Sequence, residues 1–254
     1  MSTQPRVLAG SIGECCIKGV KHTGDPVGRT ETIAGVETYV SDPPTSYSGP
    51  KRVVLYFADV HGPFLINAKL LQDYFASRGF HAVGLDYFFG DPIQNHDGEE
   101  GWDVMVWVNK ARKVADEVVP RWIDAVREKY GADADYSAVG YCFGAPYVMD
   151  ILNTDKVVAG AFAHPAFLNE DHFRNIKKPL LLSCSEVDMT FPTEERRRAE
   201  DILAEIKATY HVQIFSGVVH GFATRGDPEI ENTRWAKEES ARSIIEWFIR
   251  FSKK

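Results

Sequence analysis

The residue type that first invites chemistry in this chain is a thiol between glycines, in Gly140-Tyr141-Cys142-Phe143-Gly144. An apolar run (Tyr136, Ala138, Val139) leads into it, and a run with helical spacing (Tyr147, Val148, Ile151, Leu152) leads out. The pentapeptide therefore reads as a sharp strand-to-helix turn, its glycines removing Cβ atoms that would meet the adjoining strand and helix. Such a turn lifts its central side chain at the end of a sheet. At a helix start the dipole and the unpaired N–H groups favour a thiolate, which makes Cys142 the candidate nucleophile.

A nucleophile needs a base, and the base needs an orienting acid. Downstream, Asp188 and His220 fall in loops beyond the ends of predicted strands, in the order nucleophile, acid, histidine that characterises the α/β-hydrolase triad. His220, expected near its ordinary neutral pKa, would take the thiol proton and return it to the leaving group, while Asp188 fixes the imidazole tautomer. Cys142 would attack a carbonyl carbon and form an acyl-enzyme. Two N–H donors must meet the oxyanion: Phe143, just after the nucleophile, and Val60, in the loop after an earlier strand.

These groups need a sheet to hold them. Val53 to Phe57, His81 to Leu85, Val157 to Ala163, Pro179 to Cys184 and Val212 to Phe215 read as strands. Between them lie helical patterns around Leu70 to Phe75, around Ala199 to Ile206 and over Trp235 to Phe251. A further helical stretch, Trp102 to Val126, is expected to break near Pro120. Alternation of this kind implies an α/β fold with a mostly parallel central sheet and helices on both faces, in a single domain spanning 1–254. Residues 1–50, rich in Gly, Pro and Thr, read as a peripheral extension with a hairpin over Glu31 to Val40 turning at Gly35.

With 254 residues, 44% apolar and 26% charged, the chain has the balance of an ordinary globule, and its net charge of −7 argues against nucleic acid or an anionic membrane as partner. No apolar run nears the ~18 residues of a membrane span, and a cytoplasmic location is expected. Of the four cysteines, Cys184 fits a core strand. Cys15, Cys16 and His22 match no standard metal spacing, so neither a disulfide framework nor a metal site is expected. The run Glu194 to Arg198 reads as a solvated helix face.

Three stretches carry a family resemblance: Gly140-Tyr141-Cys142-Phe143-Gly144-Ala145, Ser185-Glu186-Val187-Asp188, and Gly217-Val218-Val219-His220-Gly221-Phe222. From about Lys51 onward the chain resembles the dienelactone hydrolase family, and Cys15-Cys16 with His22-Thr23-Gly24 resembles the N-terminal extension of its fungal members. The resemblance implies an α/β-hydrolase fold, no cofactor and a small-molecule ester or lactone substrate. It also implies a carboxylate beside the thiol that helps it ionise, which falls on Asp59 where family enzymes that open dienelactone carry Glu. The two arginines that hold the substrate carboxylate in those enzymes fall on Gly90 and near Thr224, with Arg225 one place away, so a larger, less acidic substrate is implied. Phe88, Phe89, Tyr147 and Phe191 would line its mouth, and His61 and His164, at predicted strand ends, are candidate substrate contacts.

The leading expectation is a cysteine hydrolase of esters, lactones or thioesters, as a monomer or homodimer. Two alternatives stay open: the same triad carrying out acyl transfer, ring closure or C–C cleavage, and a ligand-binding scaffold without catalysis.

Overall fold

In the computed structural model, residues 4–253 are described, without the side chains of Glu14 and Cys15. The first half of the chain contains β1 (Val7–Ala9), α1 (Glu14–Ile17), β2 (Arg29–Ile33), β3 (Val36–Ser41), β4 (Arg52–Phe57), α2 (Ile66–Ser77), β5 (Phe80–Leu85) and α3 (Val104–Tyr130). The second half contains β6 (Asp135–Tyr141), α4 (Ala145–Leu152), β7 (Ala159–Ala163), β8 (Leu168–Asn169), α5 (Glu170–Arg174), β9 (Leu180–Val187), α6 (Thr193–Glu205), β10 (Tyr210–Val219), α7 (Phe222–Arg225) and α8 (Glu231–Phe251). Eight strands form one sheet in the order β10-β9-β7-β6-β4-β5-β3-β2, parallel from β10 to β5 and antiparallel at β3 and β2. This is the α/β-hydrolase architecture, and no helix among the described residues is long and apolar enough to cross a membrane.

Period-two alternation along β4 explains why the sheet is covered twice. Val53, Leu55 and Phe57 pack with residues of α3, α4 and α6, while Val54 and Tyr56 pack with α2 and α8. After β4 the chain moves to β5 on one side, then returns to place β6 on the other side of β4. Loops leaving β4 and β6 therefore diverge around a crevice at the carboxyl ends of the strands, where open parallel sheets bind ligands.

Two expectations change. α3 runs unbroken through Pro120, because that residue lies on the exposed side while Val118, Val119, Trp122 and Ile123 anchor the helix to the sheet. The indole of Trp122 also donates to Thr38 Oγ1 at 2.9 Å. β10 extends past Phe215 to Val219 through an irregularity at which Gly217 takes φ 68°, where Ser216 and Gly217 interrupt the apolar run. The expected hairpin forms, with Ala34 and Gly35 at φ 51° and 76°, and β3 pairs with β5 so that the hairpin completes the edge of the main sheet.

Residues 10–22 form a strap across the loops at the carboxyl ends. One end is tied by Gly10, which bonds to the Thr190 carbonyl and accepts from Phe167 N–H at 2.6 and 2.9 Å. At the other end Val20 N–H donates to the Arg225 carbonyl at 3.1 Å, and the Asn67 side chain bonds both Val20 O and His22 N–H.

Candidate active site

Cys142 sits at φ 48°, a left-handed conformation that a non-glycine residue adopts at a cost and that the turn between β6 and α4 imposes. The flanking glycines are required. A Cβ on Gly140 would lie 2.6 Å from the Gly144 carbonyl oxygen, and one on Gly144 would collide with the Phe57 carbonyl of β4. The Cys142 carbonyl accepts Ala166 N–H at 3.1 Å, so the elbow is tied on its far side as well.

Asp188 leaves the end of β9 and His220 the end of β10, adjacent strands that bring the two side chains together. His220 Nδ1 lies 2.9 Å from Asp188 Oδ1. Asp188 Oδ1 also accepts the amides of Thr190 and Phe191, at 2.9 and 3.1 Å, while Ser185 Oγ donates to Oδ2 at 3.2 Å. Burial would raise the Asp188 pKa, yet hydrogen bonding to His220 holds it below the ordinary carboxylate value. For His220, burial opposes the charge, but Asp188 and then Cys16 outweigh it and raise the pKa to about 10. The expectation of a near-neutral imidazole is thereby corrected: the ring keeps its second proton through neutral pH.

The strap supplies a group that sequence spacing did not mark. Cys16 Sγ lies 3.4 Å from His220 Nε2, and Cys16 Sγ, Cys142 Sγ and His220 Nε2 all fall within 4.8 Å of one another. Both cysteines are fully buried. Thr190 was also missed; its hydroxyl lies 2.7 Å from Asp188 Oδ1, 2.7 Å from the Pro165 carbonyl and 3.0 Å from His220 Nδ1. Its place two residues after the acid, ahead of Phe191-Pro192, is a turn signal that marks such a contact.

A second polar cluster lies under the same strap. Asp59 Oδ2 is paired with the Arg225 guanidinium and accepts Thr224 Oγ1 at 2.8 Å, and Oδ1 accepts His61 N–H at 2.9 Å. Burial would raise the Asp59 pKa, but the Arg225 charge keeps it below the ordinary value. Asp59 and Arg225 are both buried and satisfy each other first.

The dienelactone hydrolase family profile matches residues 36–252. The chain is 36% identical over 248 residues to dienlactone hydrolase 1 of Gibberella moniliformis (strain M3125 / FGSC 7600), covering 95% of this chain and 94% of that one. The chain belongs to the dienelactone hydrolase family. A second fungal relative, hydrolase tropI of Talaromyces stipitatus, is 33% identical over 252 residues, covering 94% and 96% of the two chains. The crystal structure of a candidate dienelactone hydrolase from Klebsiella pneumoniae subsp. pneumoniae MGH 78578 superposes with a TM-score of 0.73 at 16% identity, over 89% of this chain and 99% of that one, a likeness of fold.

The remaining expected residues of this family member divide into walls and interior. Phe88 stacks on Trp107 at 5.2 Å and packs with Phe143 and Tyr87. Asp86 accepts Phe88 N–H at 3.0 Å and Gly90 N–H at 2.7 Å, which holds that wall in place. A cavity of about 310 Å³ opens there, lined by Phe88, Phe89 and Trp107 among others. Tyr147 lies behind it, its ring against Phe143 and its hydroxyl 3.3 Å from Asp116. A second cavity, about 500 Å³, is lined by His61, Gln94, Trp102 and Ile17 to Gly19 of the strap. Phe191 stacks on Phe173 in the core instead of at a mouth. His164 is buried against His220 and Phe222, and burial pushes its pKa down so that it rests neutral.

Proposed function

We propose that this member of the family hydrolyses a small-molecule ester, lactone or thioester through an acyl-cysteine. The observation that carries the reading is the Asp188–His220 pair, whose Nε2 lies within 4.8 Å of a thiol held on a strained elbow at the topological switch point. The Cys142 thiolate adds to the carbonyl carbon, and the oxyanion is met by the N–H groups of Phe143 and Val60. The Val60 carbonyl is held by Ile93 N–H at 3.1 Å, which fixes the adjoining peptide. The C–O or C–S bond then breaks as His220 passes its proton to the leaving group. A water, deprotonated by the same imidazole, attacks the acyl carbon and releases the thiolate.

Thiol activation falls to His220, with Asp59 in support through the Arg225 pair and its grip on the His61 backbone. A thiolate is a good leaving group, so activated esters and enol lactones are favoured over amides. Aromatic walls at Phe88 and Tyr147, and the neutralisation of Arg225 by Asp59, favour an uncharged acyl portion. Substrate reaches Cys142 when the strap moves aside, on the side of the cavity that His61 borders.

The test is turnover of aryl esters and lactones by the wild type and by Cys142→Ala, with an acyl adduct on Cys142 sought by mass spectrometry at short times. We expect Cys142→Ala to lose roughly three orders of magnitude or more. Equal turnover by both proteins would sink the assignment.

A further inference from the structure

We infer that Cys16, Cys142 and His220 form a binding site for a thiophilic divalent cation of the zinc class, whose occupancy withdraws the nucleophile and its base together. The inhibitory half rests on the proposed role of Cys142; the binding half does not. Two thiolates and one imidazole are a donor set that zinc takes with its fourth position left to solvent. With Zn–S near 2.3 Å and Zn–N near 2.0–2.1 Å, tetrahedral ligands stand about 3.6 Å apart for N and S and about 3.8 Å for two sulfurs. Cys16 Sγ and His220 Nε2 are 3.4 Å apart, and the three atoms lie within 4.8 Å of one another. Closing onto an ion therefore asks for a movement of about 1 Å at most.

The surroundings match as well. A ligating histidine characteristically donates its other ring N–H to a carboxylate, and His220 Nδ1 meets Asp188 Oδ1 at 2.9 Å, with Asp188 in turn held by Thr190, Phe191 and Ser185. All three ligands are buried, and a dication with two thiolates and a neutral imidazole has no net charge to penalise. Binding releases to solvent the protons the three ligand atoms carry, leaving both sulfurs as thiolates and the His220 Nε2 lone pair on the ion. Single-sequence spacing could not show this site, because its ligands stand at 16, 142 and 220.

The experiment is a titration of the reduced full-length protein with Co²⁺, followed by Zn²⁺ competition, with circular dichroism to confirm that each variant is folded. Expected are one cobalt per chain, a thiolate-to-cobalt charge-transfer band with the visible bands of a tetrahedral ion, and their loss on adding Zn²⁺. Cys16→Ser and Cys142→Ser should each lose about half of the charge-transfer intensity, Cys184→Ser none, and Asp188→Asn should weaken affinity by roughly 10–100-fold. No charge-transfer band in the wild type, or one undiminished in Cys16→Ser, overturns the site; should Cys16→Ser not fold, Cys16→Ala and Asp188→Asn carry the same decision. In the hydrolysis assay, the Zn²⁺ concentration for half inhibition should rise at least ten-fold in Cys16→Ser. If the bands appear but Cys142→Ala still turns over ester, the proposed function falls and the metal site stands. If the bands are absent while Cys142→Ala is inactive, only the metal site falls.

Discussion

His220 holds a proton in the folded state that the unfolded chain gives up near pH 6.5, because Asp188 and Cys16 overcome the opposing effect of burial. Its contribution to stability is complete below that pH and drains away as pH rises toward about 10. Urea denaturation at a series of pH values should therefore find the gap between wild type and His220→Gln narrowing across this window; a gap that stays constant or widens contradicts the assigned charge state. Thr190 acts on the same ring. Its single hydroxyl proton can go to Asp188 or to the Pro165 carbonyl, leaving an oxygen to accept from His220 Nδ1–H. Replacing it with Val should cost about 1 kcal/mol, roughly five-fold in kcat, with KM little changed. A KM effect alone would place Thr190 in binding instead of in orienting the proposed base.

Among the elements, α3 gives the clearest test of packing against propensity. Pro120 lacks the N–H that would reach the Asp116 carbonyl, and only the buried face around Trp122 keeps the helix whole. Pro120→Ala should therefore stabilise the protein by up to about 3 kcal/mol, less the smaller entropy that proline removes from the unfolded chain, and thermal melting would register it. An unchanged or lowered Tm would mean the ring itself is needed there. This helix also marks where a sequence stops being readable. Strands β4, β5, β7 and β9 were legible because each is a continuous apolar run buried on both faces. The elbow, Asp188 and His220 were legible because each lies in a loop beyond a strand, in the chain order of an α/β-hydrolase triad. The continuity of α3 through Pro120, the tail of β10 beyond Phe215 and the pairing of Asp59 with Arg225 depend on partners remote in sequence. Cys16, set 204 positions from the imidazole it touches, lay beyond any local signal.

For the whole molecule, the strap is the feature that joins distant parts. Asn67 on α2 holds it by bonding Val20 O at 2.8 Å, His22 N–H at 2.9 Å and, on the far side, Thr224 O at 3.0 Å. Asn67→Leu would strand those buried groups at a cost of roughly 2–4 kcal/mol. It should also raise the rate at which iodoacetamide alkylates Cys142, read by mass spectrometry against Cys184 as the buried reference. An unaltered rate would mean that something other than the strap covers the thiol. The same ties carry a consequence for biosynthesis. A ribosome completes residues 10–22 long before it reaches Thr190, His220 and Arg225, to which they attach. Throughout translation, Cys16 and then Cys142 leave the exit tunnel as unguarded thiols, and their shelter closes only when the strand and turn bearing His220 have emerged. For the nascent polypeptide, these cysteines are thus an exposed liability before they become a protected pair.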